Sequence, residues 1–153
     1  MTAYISKTRS QITAKMSAIL ECANANPEAA AASLVSGIRI FSDLNDSVRT
    51  LAMCRQLVSE NGASVTSLIY AGENLIKFRE TEEAIRVFEA TSAKATKQYQ
   101  KEDCLLGICE ARIIQNNSPD AASELRRLST GASTAVIRKK ATALIQTLLG
   151  TTK

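Results

Sequence analysis

Apolar residues recur at steps of three and four along nearly the whole chain, the period of a one-faced helix. The first run is Ile5, Ile12, Met16, Ile19 and Leu20, which predicts a helix over residues 4–24. A second helix is expected from Pro27 to about Phe41. Asn26 can cap it, and the proline sits at the first position, where its missing N–H costs nothing. Asn45 or Asp46 caps a third, with Val48, Leu51, Ala52 and Val58 expected on one apolar side and Asn61-Gly62 at its end. From Ser64 the spacing predicts a hairpin of two helices in "LIYAGENLIKFRETEEAIRVFEAT", residues 68–91, with a tight polar turn at Thr81 and a second helix reaching about Lys97. A helix over about 98–115 follows. "NNSPD" then repeats the proline device, with Ser118 as cap and Pro119 at the first position. The last helix, about 133–149, carries Val136, Ile137, Ala141, Leu144, Ile145 and Leu148 at the same spacing. No stretch reads as a strand.

Gly37, Gly72 and Gly107 lie 35 residues apart, each in the middle of a predicted helix: "SLVSGIRIF", "LIYAGENLI" and "DCLLGICEA". A glycine costs about 1 kcal/mol relative to alanine in a helix interior. Three such costs at one period imply a shared reason, and close approach of helices is the obvious one. A hairpin this short cannot bury its own apolar face. Ile69, Ile76, Phe78 and Phe88 must therefore pack against neighbouring hairpins, a partner, or both.

This pattern resembles the tetratricopeptide repeat (TPR), a helical hairpin of about 34 residues that stacks into a superhelix. In that family a glycine in the first helix is followed by an alanine and then an aromatic. Gly72, Ala84 and Phe88 stand at the family's spacing, with Leu68 and Leu75 at the bulky positions around the glycine. In the third unit Gly107 matches, its turn is two residues longer, and Ala121 and Leu125 take the alanine and aromatic places. In the first unit only Gly37 and its helix match, with Arg49 where alanine is expected. The resemblance covers about 33–129. It implies an all-α fold of stacked antiparallel hairpins, a TPR-like α-solenoid forming a single domain over 1–153. Its repeat-like units fall at about 27–62, 64–97 and 98–130, with capping helices at about 4–24 and 133–149.

In proteins of this kind the first helices of successive hairpins line a concave groove that holds a peptide or helix from a partner. Counting from the aligned glycines, the groove candidates are Leu34, Ile38 and Phe41; then Ile69, Glu73, Ile76 and Lys77; then Lys101, Ile108 and Arg112. The face is mainly apolar and suits an amphipathic helix. Lys77, Lys101 and Arg112 are too few for the clamp with which some repeats grip a C-terminal carboxylate. The same positions become plain core if the terminal helices fold into the groove. The resemblance thus implies a protein–protein interaction module, a small chaperone or adaptor with the size and groove character of type III secretion chaperones. A structural subunit of a larger assembly and an RNA-associated helical repeat stay open as alternatives, as do homo- and hetero-oligomers.

Composition narrows the chemistry. With 153 residues, 45% hydrophobic and 22% charged, the chain reads as one globular domain, and only 6 glycines and 2 prolines interrupt its helical bias. No apolar run approaches the roughly 20 residues that span a bilayer. The cysteines, Cys22, Cys54, Cys104 and Cys109, form no CxxC pair, and the chain has no histidine. Neither a zinc set nor any other cofactor is expected, and buried thiols in a reducing compartment are. Without histidine the commonest general base is missing, and no phosphate-cradling glycine motif occurs. Glu82-Glu83 open a helix, where acids favour the macrodipole. An enzyme is not expected.

Charge is uneven. Residues 1–20 hold Lys7, Arg9 and Lys15 with no acid, and 126–153 hold Arg126, Arg127, Arg138, Lys139, Lys140 and Lys153, again with no acid. Such ends can meet nucleic acid or an acidic partner. Aromatics are only 4%, however, and none is interleaved with "RKK" at 138–140, so the basic residues are expected as solvated end faces and nucleic acid is not the expected partner. Residues 1–20 loosely resemble a mitochondrial presequence, but their helical period runs on past residue 20. They are expected as the first structural helix of a cytoplasmic protein.

Overall fold

Helix follows helix across short connections wherever the chain is described. A computed structural model describes residues 10–15, 17, 27–116 and 118–150, and all regular structure among them is α-helical. Two compact units emerge, within Met1–Ser64 and Val65–Lys153. No helix among the described residues is long and apolar enough to cross a membrane.

In the first unit, residues 10–15 and 17 are helical; the rest of the expected 4–24 helix, Cys22 and the Asn26 cap lie outside the described residues. Helix α1 runs Pro27–Asp43 and α2 runs Ser47–Ser59. Asp46 is the α2 cap, its Oδ1 accepting from the Arg49 N–H at 3.2 Å. The two helices pack on Ala30, Leu34, Ile38, Phe41, Cys54 and Leu57, all buried. The buried side of α2 departs from the expected one. Val48 is 77% exposed, Ala52 and Val58 are exposed, and Leu51 is half-buried, while Thr50, Cys54 and Leu57 face inward. Thr50 can be buried because its hydroxyl donates to the Asp46 carbonyl at 2.7 Å, leaving its methyl group to pack.

The second unit contains α3 (Val65–Lys77), α4 (Thr81–Lys94), α5 (Gln98–Ile114), α6 (Ser118–Gly131) and α7 (Ala135–Gly150). Each packs on the next; α3 also touches α5, and α5 touches α7. Thus α3, α5 and α7 form a row, with α4 bridging the first two and α6 the last two. Ser118 is the first residue of α6 itself, one position earlier than the proline pattern predicts.

Three turns share one geometry. Asn45, Arg79 and Asn116 each adopt the left-handed conformation, with φ of 53°, 69° and 60°, directly after α1, α3 and α5. At the second, the Arg79 N–H donates to Ile76 O and the Glu80 N–H to Leu75 O, both at 2.9 Å, which closes the helix end as a Schellman turn. The first repeats both bonds, from Asn45 to Ser42 and from Asp46 to Phe41. The third repeats the inner one, from Asn116 to Ile113.

The spaced glycines have a concrete cause. A Cβ on Gly72 would lie 2.6–2.9 Å from Cζ, Cε1 and Cε2 of Phe88, and one on Gly107 would overlap the same three atoms. Two backbones can meet the same ring atoms only from opposite faces, so the fully buried Phe88 ring is held between α3 and α5. Beyond it, Leu106, Cys109, Leu125, Leu128 and Ile137 form a second apolar cluster between α5, α6 and α7. Two buried polar groups are satisfied within their own helices: Asn74 Nδ2 donates to Tyr70 O at 2.9 Å, and the Thr91 hydroxyl to Val87 O at 2.6 Å.

Candidate functional site

The row α3–α5–α7 frames a cleft of about 590 Å³ inside the second unit. Its floor is apolar: Ile76 from α3, Phe88 behind, Leu106 and Gly107 from α5, Ala143 and Leu144 from α7. Its rim is charged: Glu73 and Lys77, Asp103 and Glu110, and Lys140. Ile76 lies four positions after Gly72 and so near the face that α3 presses on Phe88, whereas Leu106 also belongs to the apolar cluster between α5, α6 and α7.

Lys140 Nζ reaches Glu73 Oε1 at 3.5 Å, tying α7 to α3 across the rim, with the two side chains 49% and 47% exposed. The other rim lysine, Lys77, lies over the Phe78 ring with its Nζ 5.5 Å from the centroid. Burial pushes the Glu110 carboxyl above its ordinary range, the Glu73 charge adds to the rise, and Lys140 opposes it. Burial also raises Asp103, with Lys140 opposing and Glu102 adding.

Glu102, on α5, has a structural task. Its Oε2 accepts from the Ser133 N–H at 2.8 Å and the Ser133 hydroxyl at 2.6 Å, pinning the α6–α7 turn to α5. Burial alone would raise this carboxyl, but the bonds from Ser133 and Gln98 and the Arg127 charge outweigh it and hold it below the ordinary value. The Gln115 side chain makes the corresponding tie at the other end of α5, donating to Thr81 Oγ1 at 3.1 Å.

Cys54, Cys104 and Cys109 are buried thiols in no disulfide, and burial above all pushes the Cys104 and Cys109 thiols up to about 11, so both stay protonated at neutral pH. Among the described residues no three Cys, Asp or Glu side chains group as metal ligands.

The sequence-based groove candidates divide into three places. Glu73, Ile76 and Lys77 line the cleft, and Ile69 is buried on the same helix. Lys101 and Ile108 line a separate hollow of about 210 Å³ with Leu105 and Arg127, and Arg112 is half-buried. Leu34, Ile38 and Phe41 are core residues of the first unit. Sequence reasoning missed Asp103, Leu106, Glu110, Ala143 and Leu144. The available signal was the set Asp103, Leu106, Gly107 and Glu110, spaced three, one and three apart on one face of α5.

The basic residues near the C-terminal end are largely engaged. Arg127 pairs with Glu124 at 2.9 Å, Arg138 donates to the Ala132 carbonyl at the end of α6, and Lys140 belongs to the cleft. Arg126 and Lys139 are exposed. No family model matches the chain, and neither a curated protein nor a solved structure matches it.

Proposed function

We propose that Val65–Lys153 is a tetratricopeptide-like array whose cleft holds an amphipathic segment of a partner protein, the chain acting as a small chaperone or adaptor. One observation carries this reading: α3, α5 and α7 contribute an apolar floor and a charged rim to a single cleft. An apolar centre ringed by solvated charge is the anatomy of a protein-recognition surface. The two glycines pressed on Phe88, 35 residues apart, support the repeat character.

Site-directed photo-crosslinking tests the reading. A photoreactive residue at Ala143, on the cleft floor, should capture an amphipathic segment of one protein in cell extract. The same residue at Glu89, exposed on α4, should not. Equal labelling from both positions would remove the cleft as the binding site.

A further inference from the structure

Resting on the partner-binding reading above, we propose that the cleft takes a basic amphipathic helix, its apolar anchor flanked by lysine or arginine, and that Lys140 holds the place of that cation in the unbound protein. The rim carries three carboxylates, Glu73, Asp103 and Glu110, against two lysines. Lys77 lies over the Phe78 ring. Lys140 is paired with Glu73 at 3.5 Å, and its charge also acts on both Asp103 and Glu110. Lys140 thus acts on all three acids.

Asp103 and Glu110 stand seven residues apart on α5, about 10 Å along one face, and both are half-buried beside the apolar floor. A helix laid along that floor places side chains three and four residues from its anchor against this rim. An acidic segment would crowd charge there, and a neutral one would shield the two carboxylates from water without replacing what water gave. A basic segment supplies what is short. The chain as a whole carries +4, so its overall field repels such a segment and any preference for it must come from the rim itself.

Three synthetic helical peptides of about five turns, sharing one leucine face and bearing Lys, Gln or Glu beside it, test this by calorimetric titration into the full chain. The Lys peptide should bind tightest. Asp103→Asn and Glu110→Gln should each weaken it by roughly two- to fivefold and leave the Gln peptide unaffected, while Lys140→Gln should tighten it by a similar factor. Both amide substitutions keep side-chain size, and far-UV circular dichroism checks the fold of each variant. Equal or tighter binding of the Gln or Glu peptide, or a Lys140→Gln variant that weakens the Lys peptide, overturns the inference. Ala143→Trp, which fills the floor, separates the two levels. If it blocks all three peptides while the charge variants change nothing, the cleft stands and the basic occupant falls. If no peptide binds, or Ala143→Trp changes nothing, the partner-binding reading falls with it.

Discussion

Helices α3 and α5 each press a mid-helix glycine on the same aromatic ring, yet they turn different faces to the cleft. From α3 the cleft residues are Glu73, Ile76 and Lys77, one, four and five positions after Gly72. From α5 they are Asp103, Leu106, Gly107 itself and Glu110, the last only three positions after the glycine. The two glycines occupy equivalent places in the sequence pattern but approach Phe88 from opposite sides, so helices matched by the pattern are not oriented alike. A periodic residue marks where backbones approach each other. It does not by itself mark which face is left for a partner.

The comparison breaks most directly at the ring. Phe88→Ala should cost about 3–5 kcal/mol by opening a cavity between two helices. Gly72→Leu and Gly107→Leu should each cost about 1–3 kcal/mol by overpacking. Because both glycines meet one ring, Phe88→Ala combined with Gly72→Leu should destabilise less than the sum of the two single changes. Additive melting shifts, or a Gly107→Leu variant that melts like the parent, would dissolve the sandwich.

Glu102 sharpens the contrast between a carboxylate used by the fold and carboxylates left to the rim. Glu102→Gln should cost about 1–2 kcal/mol, because Ser133 loses a charged acceptor. Glu102 is held below its ordinary 4.5 in the fold, so its stabilisation is present above that value and fades as pH falls through the lower, folded one. Asp103 and Glu110, held high, act in the opposite sense: the cost of keeping them ionised is relieved as pH falls through their raised values. Urea melts from pH 7 to 3 should therefore show a steeper loss of stability in the parent than in Glu102→Gln. Parallel curves would remove the charge from that tie.

The smallest expected effect concerns the turns. Asn45 and Asn116 tolerate the left-handed conformation, whereas Arg79 adopts it at a steric cost. Arg79→Gly should gain about 0.5–1 kcal/mol, and Asn116→Gly much less. Equal gains would mean that the three turns are not strained as their residues suggest.

Most of the helical architecture was legible from the apolar period, the Asp46 cap and the helix-opening Pro27, because these depend on neighbours three or four residues away. The exposed side of α2 was not. Val48 and Val58 look like core, while Thr50 becomes core only because its own helix satisfies its hydroxyl. The cleft was legible on α3, which has a clear polar side, and illegible on α5, which packs against α3, α4, α6 and α7 and so has apolar residues on nearly every side.

By itself, the sequence determined the helices, their short connections and the positions where backbones must come close, since each is a local property of residue size, period and capping. Only the tertiary structure decided that one phenylalanine answers two glycines, that Lys140 of the basic run belongs to an acidic rim, and that Asp103 and Glu110 share it. The reason is rotational. A helix's period settles which residues share a face, but only contact with its neighbours settles where that face points.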